Sequence, residues 1–277
     1  YEMTSSLVGS EMCIRDRKQT DHGILRNGIW AYTNERLCKD DLITVQIVEN
    51  ECSDNIAPVN LPLDIAYEDD DIIVINKPFD MPAHPSAGNH DNTLANALMY
   101  YYGSQNKPFV YRCINRLDRD TTGLTIVAKH ALAGGILGNA VAKRAIHRTY
   151  YAVCSGCTPI CMRISAPIAR KDASTIERCV DFKHGEYAVT DFIRIKYNPD
   201  NNLSLVKLRL LTGRTHQIRV HMKYIGFPLI GDFLYNPDYT YISRQALHSG
   251  RLVFTHPVTG QKMNLISDIP SDMKSLF

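Results

Sequence analysis

The chain has 277 residues, 44% hydrophobic and 22% charged, a balance that suits one large domain or a compact pair and excludes wholesale disorder or a fibrous repeat. Its net charge of +2 supplies no broad basic surface, so any nucleic-acid interface must gather its cations locally. Apolar runs such as Ile72-Ile73-Val74-Ile75 fall far short of the ~18 residues of a membrane helix, and the opening residues show no signal-peptide core, so a cytoplasmic protein with no membrane contact is expected.

Residues 1–17 have no apolar period. Ser6-Leu7-Val8-Gly9-Ser10-Glu11-Met12-Cys13-Ile14-Arg15-Asp16-Arg17 resembles a translated sequencing adapter, so 1–17 is expected to be non-native and the natural start to be missing. Gly23-Ile24-Leu25, the turn signal Asn27-Gly28, Ile29–Tyr32 and Leu42–Val48 then read as short strands, and residues 50–62, with Pro58 and Pro62, as a linker. Further on, Ile72–Asn76 reads as a buried strand, and Thr93 caps a helix carrying Leu94, Ala97, Leu98 and Tyr101 on one face. Leu124–Ala128 and Tyr150–Cys154 are strand-like, with a helix from Leu132 to Arg144 between them. Strands follow at Ala188–Ile195 and Leu203–Leu211, then a short helix from about Thr215 that stops before Gly226, a residue suited to a C-terminal cap. The pattern is α+β: a mixed, mostly antiparallel central sheet with flanking helices and a catalytic cleft.

Four segments could carry chemistry. Asn115-Arg116-Leu117-Asp118-Arg119-Asp120-Thr121-Thr122-Gly123 places a carboxylate between two arginines on a loop before an apolar strand. Cationic neighbours favour the ionised carboxylate that a nucleophile or a stabiliser of a sugar cation needs, although the same residues would also make a surface turn laced with ion pairs. In Leu211-Thr212-Gly213-Arg214-Thr215-His216-Gln217-Ile218-Arg219-Val220-His221, helical steps put His216, Arg219 and Lys223 on one basic face. That face suits a phosphate backbone, an active-site anion or plain solvent. Tyr150, in Arg148-Thr149-Tyr150-Tyr151-Ala152, reads from spacing alone as a core or edge aromatic. Asn76-Lys77-Pro78 and His84-Pro85 mark rigid turns. The eight cysteines suggest no disulfide framework without a secretory context, and Cys154, Cys157 and Cys161 only half fit the spacing of a structural zinc site.

In this order the motifs resemble the RluA/RluD-type RNA pseudouridine synthases, from about Leu63 to the C-terminus. The resemblance rests on Asn76-Lys77-Pro78, Thr93-Leu94-Ala95-Asn96-Ala97-Leu98, Arg116–Leu124, Tyr150-x-Ala152-x3-Gly156, Thr212–His221, Ala246-Leu247-His248 and Phe254-x-His256-Pro257. It implies the pseudouridine synthase fold and the isomerisation of a uridine within structured RNA, ribosomal or transfer: the base is detached, turned and rejoined through carbon 5, with no cofactor and no metal. By the resemblance Asp118 is the catalytic aspartate acting at the sugar, through attack on the anomeric carbon or a glycal. Tyr150 sits against the uracil and is a candidate for the proton transfers, and Arg219 pairs with Asp118. Ile218 packs on the ring, Arg116 and Arg119 hold the backbone or take the flipped-out nucleotide's place, and His216 and Arg214 join them in binding substrate. Two departures stand out: Asn115 occupies a position where many members have His, and 18–58 reads as a remnant of a small N-terminal RNA-binding domain plus linker, without that domain's helices. Residues 59–277 would be the catalytic domain, acting as a monomer with RNA as its partner. Two competing readings are a catalytically idle RNA-binding protein on the same fold and a nucleoside or glycoside hydrolase pairing Asp118 with Asp120.

Overall fold

The computed structural model describes residues 23–32, 34–46, 51–86, 88–171 and 176–277. Residues 1–17, and the end of the strand expected at Leu42–Val48, lie outside them. β1 (Ile24–Arg26), β2 (Ile29–Trp30) and β3 (Ile43–Val45) form a small antiparallel sheet in the order β2-β1-β3. After it, residues 51–62 run without regular structure, but Ile56 and Leu61 pack on a core cluster and Val59 N–H donates to Asn96 O at 3.1 Å.

A ten-stranded sheet dominates the rest. Its main path runs β4 (Ile65–Glu68), β5 (Ile72–Lys77), β7 (Thr122–Ala128), β14 (Leu247–Thr255), β8 (His147–Ser155), β13 (Leu203–Leu210), β12 (Val189–Asn198), β9 (Cys161–Ser165). β6 (Arg112–Cys113) pairs with β7 and β15 (Lys262–Ile266) with β14. Every pairing is antiparallel except β7 with β14. β10 (Ile168–Arg170) and β11 (Arg178–Val180) form a separate hairpin.

The continuous apolar run of β5 is explained by burial on both faces. Ile72 and Val74 pack with α2 (Ala131–Ala142) through Ala133 and Leu137, while Ile73 and Ile75 pack with α1 (Leu94–Gly103) through Leu94, Ala95 and Leu98. Thr93 caps α1 as expected: its Oγ1 accepts from Asn96 N–H, and Asn96 Oδ1 accepts from Thr93 N–H, a reciprocal capping box. Further along the sheet, Tyr150, Ala152 and Cys154 of β8 and Val206 and Leu208 of β13 bury their side chains against Ile218 and Met222 of α3 (Gln217–Tyr224). Val153 and Leu203 point the other way, into a cluster with Met273 of α4 (Ser271–Lys274).

Several boundaries differ from the spacing argument, and two of the differences have a direct cause. β8 starts three residues before Tyr150, because its ends are polar residues held by their neighbours in the sheet. α3 begins at Gln217 rather than near Thr215, because His216 takes a left-handed conformation (φ 57°) that no α-helix accommodates. The far end of α3 follows expectation: Gly226 (φ 84°) donates to Lys223 O and Phe227 N–H to Met222 O, the paired bonds of a Schellman cap.

Candidate active site

The loop carrying Asp118 is set by its supports. Asn115 is buried; its Nδ2 donates to Leu124 O and its Oδ1 accepts from Ile126 N–H, so the side chain continues the ladder beside β7. At the other end Gly123 (φ 108°) must lack a side chain, since a Cβ there would lie 2.3 Å from Ser249 O on β14. In between, Thr121 N–H closes a turn onto Asp118 O, and Lys77 Nζ donates to Arg119 O at 2.8 Å and to Pro78 O at 2.7 Å. Lys77 is wholly buried, and burial pulls its ammonium down to about 7 despite the attraction of Asp120 and Asp118.

The second wall is the turn before α3. Gln217 is buried; its Oε1 accepts from Thr212 Oγ1 and Arg214 N–H, and its Nε2 donates to Val189 O and Thr190 Oγ1. His221, also buried, bonds Thr190 Oγ1 through Nδ1 and Ala166 O through Nε2. Since a carbonyl only accepts, Nε2 carries the proton and Nδ1 accepts from the threonine hydroxyl. Several polar residues of this motif are therefore struts that fix α3 to β12, and burial keeps His221 below the usual imidazole range.

These supports bring Asp118 and Arg219 together. Arg219 Nη1 donates to Asp118 Oδ2 at 2.9 Å, while its Nε and Nη2 form a two-pronged pair with Asp232 at 2.7 and 2.8 Å. The Arg219 and Asp232 side chains are essentially inaccessible, whereas Asp118 retains 30% exposure toward the cleft. Burial opposes charge on Arg219, but the bonds to Asp232 and the pull of Asp118 outweigh it and raise its pKa. Phe233 and Tyr235 cover the guanidinium with ring centroids 5.3 and 5.0 Å from Cζ. His216 Nε2 lies 3.9 Å from Asp118 Oδ2. Its Nδ1 is 3.0 Å from Tyr235 Oη, which accepts from Arg178 N–H and so directs its own proton to that nitrogen. The Nε2–H edge therefore faces Asp118, and burial holds the ring below its usual pKa against the attraction of that carboxylate.

A cleft of about 940 Å³ opens over this group. Asp118, Tyr150, Ile218, Arg219, His216, Arg214, Arg116 and Arg119 all line it, so the structure gathers every site residue expected from sequence. Tyr150 is buried in β8, and its hydroxyl takes no hydrogen bond from the described residues. Arg119 is engaged by Asp120 through Nε and Nη2 at 3.0 and 2.9 Å, and Arg214 by Glu186 and Tyr187 O. Arg144, Arg148 and Arg209 add charge to the rim, and Asp118 is the one carboxylate among the lining residues. Cations are thus gathered locally within a chain of small net charge. Arg112, Lys143, Arg170, Lys171 and Lys223, which lie near the motifs in sequence, do not line the cleft.

The geometry bears on three readings that the sequence left open or disfavoured. The basic helix face does not form: His216 precedes α3 and Arg219 turns inward to two carboxylates, so only Lys223 is solvated. Asp120 is bound to Arg119 and absent from the cleft lining, which deprives the hydrolase reading of its second carboxylate. Cys154 is buried in β8 while Cys157 and Cys161 are exposed, with Arg194 Nη1 donating to Cys157 Sγ, so the three do not converge on a zinc site. Asp232 and Tyr235 were missed. The only signal was Gly231-Asp232: Gly231 (φ 66°) sits where a Cβ would meet Arg244 O at 2.2 Å, forcing the sharp turn that delivers Asp232 to Arg219.

A mostly antiparallel α+β sheet with these helices is the architecture of pseudouridylate synthase domains. The solved structure of human RNA pseudouridylate synthase domain containing 1 superposes with a TM-score of 0.63 at 26% identity, covering 75% of this chain and 83% of that one. The RNA pseudouridylate synthase family model matches residues 71–224. The uncharacterised RNA pseudouridine synthase YjbO of Bacillus subtilis is 39% identical over 99% of this chain and 98% of its own length. Ribosomal large subunit pseudouridine synthase D of Haemophilus influenzae is 41% identical, over 83% and 75%. The chain belongs to the RNA pseudouridylate synthase family and is an enzyme that isomerises uridine in RNA.

Proposed function

We propose that the chain converts uridine in large-subunit ribosomal RNA to pseudouridine, with Asp118 acting at the anomeric carbon. The observation that carries this reading is the asymmetry of Asp118: Arg219 holds Oδ2, while Oδ1 accepts no hydrogen bond from the described residues and remains available to an electrophilic carbon. In covalent capture this oxygen forms a bond to carbon 1′ as the bond to uracil N1 breaks; in the glycal route it takes the proton from carbon 2′ as uracil leaves. Tyr150, with Ile218 beside it on the same wall, packs on the uracil, and its unengaged hydroxyl moves the proton from carbon 5. Arg116, Arg119, Arg214 and His216 hold the RNA around the extruded nucleotide, whose base must leave its stack to reach the cleft. The half-enclosed apolar wall limits water that would otherwise compete for the sugar.

Support for ribosomal RNA as target comes from the relatives named for the large ribosomal subunit. No helix among the described residues is long and apolar enough to cross a membrane; action as a cytoplasmic monomer is part of the proposal. Residues 59–277 serve as the catalytic domain, and 18–58, with its separate three-stranded sheet, as the remnant of an RNA-binding module plus linker. The test is tritium release from large-subunit RNA labelled at uridine carbon 5, for the wild type and Asp118→Ala. Release by the wild type alone is expected, with both proteins binding RNA. Release of free uracil would overturn the isomerase reading, and equal release by Asp118→Ala would overturn the role of Asp118.

A further inference from the structure

The large sheet ends on an open strand. Among the described residues β9 pairs with β12 alone, and the register decides which of its backbone groups stay free. Arg194 N–H donates to Ile160 O at 2.7 Å and Ala166 N–H to Ala188 O at 3.2 Å. In an antiparallel ladder such bonds recur at every second residue, so Ile160, Met162, Ile164 and Ala166 face β12. The N–H and C=O groups of Cys161, Arg163 and Ser165 therefore point outward, and none of them bonds another described residue. We propose that β9 is a docking edge for a partner protein, which adds one extended strand carrying an acidic residue between two apolar ones.

Edges that stay single are commonly blunted by lysine, proline or a bulge, and β9 has none of these. Its one charge, Arg163, is turned back onto Asp191 of β12, with Nε and Nη2 2.6 and 2.8 Å from the carboxylate oxygens. The edge itself is left clear.

Side-chain rows across the strands set the chemistry of the partner. On one face Arg209 of β13 is opposite Asp191, and Asp191 is opposite Arg163. Charges alternate along this row and it ends on a cation, so an added strand continues it with a carboxylate. On the other face buried Phe192 is opposite Met162, which is 38% exposed, and Ile164 is buried in the same core cluster as Phe192. The residues on either side of the incoming carboxylate land beside Met162 and Ile164, and they extend that core when they are apolar. Ile160, 70% exposed just before the strand, lengthens the apolar ledge. RNA suits this edge poorly. Its phosphates would accept from the outward N–H groups but meet the outward C=O groups unfavourably, and they offer nothing apolar to Met162.

The experiment titrates the whole chain with a capped heptapeptide of alternating valine and glutamate, read by fluorescence anisotropy and by hydrogen exchange at single amides. Saturable binding is expected, with exchange of the Cys161, Arg163 and Ser165 amides slowed at least about fivefold. The same peptide with lysine in place of glutamate should bind more weakly. Arg163→Gln keeps the N–H but loses the charge, and should weaken binding about threefold. Arg163→Pro also removes the N–H, at a position outside the existing ladder, and should weaken it about tenfold. Pseudouridine formation by both variants should match the wild type, since Arg163 does not line the cleft. Should Arg163→Pro fail to fold, Cys161→Pro removes a second outward N–H and repeats the measurement. Unchanged affinity in the folded proline variant, slowing confined to other amides, or no saturation below about 1 mM peptide would overturn the proposal. Slowing of the same amides by oligouridylate and not by the peptide would also overturn it, making the edge an RNA contact.

Discussion

Arg219 carries one positive charge between two carboxylates, and the two contacts are unequal. Asp232 holds it by two hydrogen bonds in full burial, whereas Asp118 takes one from the exposed side. Asp232 therefore fixes the guanidinium plane, and Asp118 is aimed by what that plane leaves over. An Asp232→Asn amide turns one N–H toward the guanidinium and removes a buried charge partner. We expect a stability loss of about 3 kcal/mol in urea unfolding, and kcat lowered at least about tenfold with KM little changed. Wild-type kcat in the folded variant would show that Asp118 alone orients Arg219. At Tyr150 the ring and the hydroxyl can be separated. Tyr150→Phe keeps the buried ring against Leu117, Ile218 and Leu247, so its melting temperature should match the wild type. Turnover should fall roughly 100-fold or more, the range of a lost general acid–base group; single-turnover assays that found an unchanged rate would assign Tyr150 to packing alone.

At the scale of elements, two glycines with positive φ test different physics. A Cβ at Gly226 meets nothing within 4 Å, so Gly226→Ala bears only the conformational cost of the left-handed cap, about 1 kcal/mol. At Gly123 a Cβ would strike the backbone of Ser249, so Gly123→Ala must part β7 from β14 and should cost more than about 4 kcal/mol. Urea titration of both variants checks the contrast, and similar losses would show that the strands yield locally. The same contrast explains what the sequence made legible. β5, β7 and α1 could be read because apolar runs, helical spacing and a cap are properties of neighbouring residues. β14 could not, although it lies at the centre of the sheet. Its buried His248 and Ser249 look like surface residues until Thr122 and Leu124 O arrive from more than a hundred residues away. Asp118 was legible as a carboxylate among arginines, but the burial of Arg219 depends on Asp232, and nothing local links those two side chains.

For the whole molecule, stability should follow pH in two steps, set by buried groups whose pKa values lie below their ordinary ones. His248 is pushed down to about 4, chiefly by burial, with Thr122 Oγ1 2.9 Å from Nδ1. Between about pH 6.5 and 4 the unfolded chain binds a proton that the native state refuses, so stability falls as pH drops through that window. Lys77 acts on the alkaline side. Its native pKa of about 7 against the ordinary 10.5 means that the unfolded chain holds the extra proton between those values. Stability therefore rises with pH from 7, by up to about 1.4 kcal/mol per unit, until the buried tyrosines, whose pKa values are raised, begin to oppose it near pH 10. Neutral Lys77 still has two N–H bonds for its two carbonyls, Pro78 O and Arg119 O, so the loop carrying Asp118 keeps its support when the charge is lost. Lys77→Met removes both the proton linkage and that support. Urea unfolding between pH 7 and 9 should show a rising stability in the wild type and a flat one in Lys77→Met. Turnover of the variant should be lower at every pH, because Arg119 O is no longer held. A rising slope that persists in Lys77→Met would place the linkage on another group and leave Lys77 charged in the native protein.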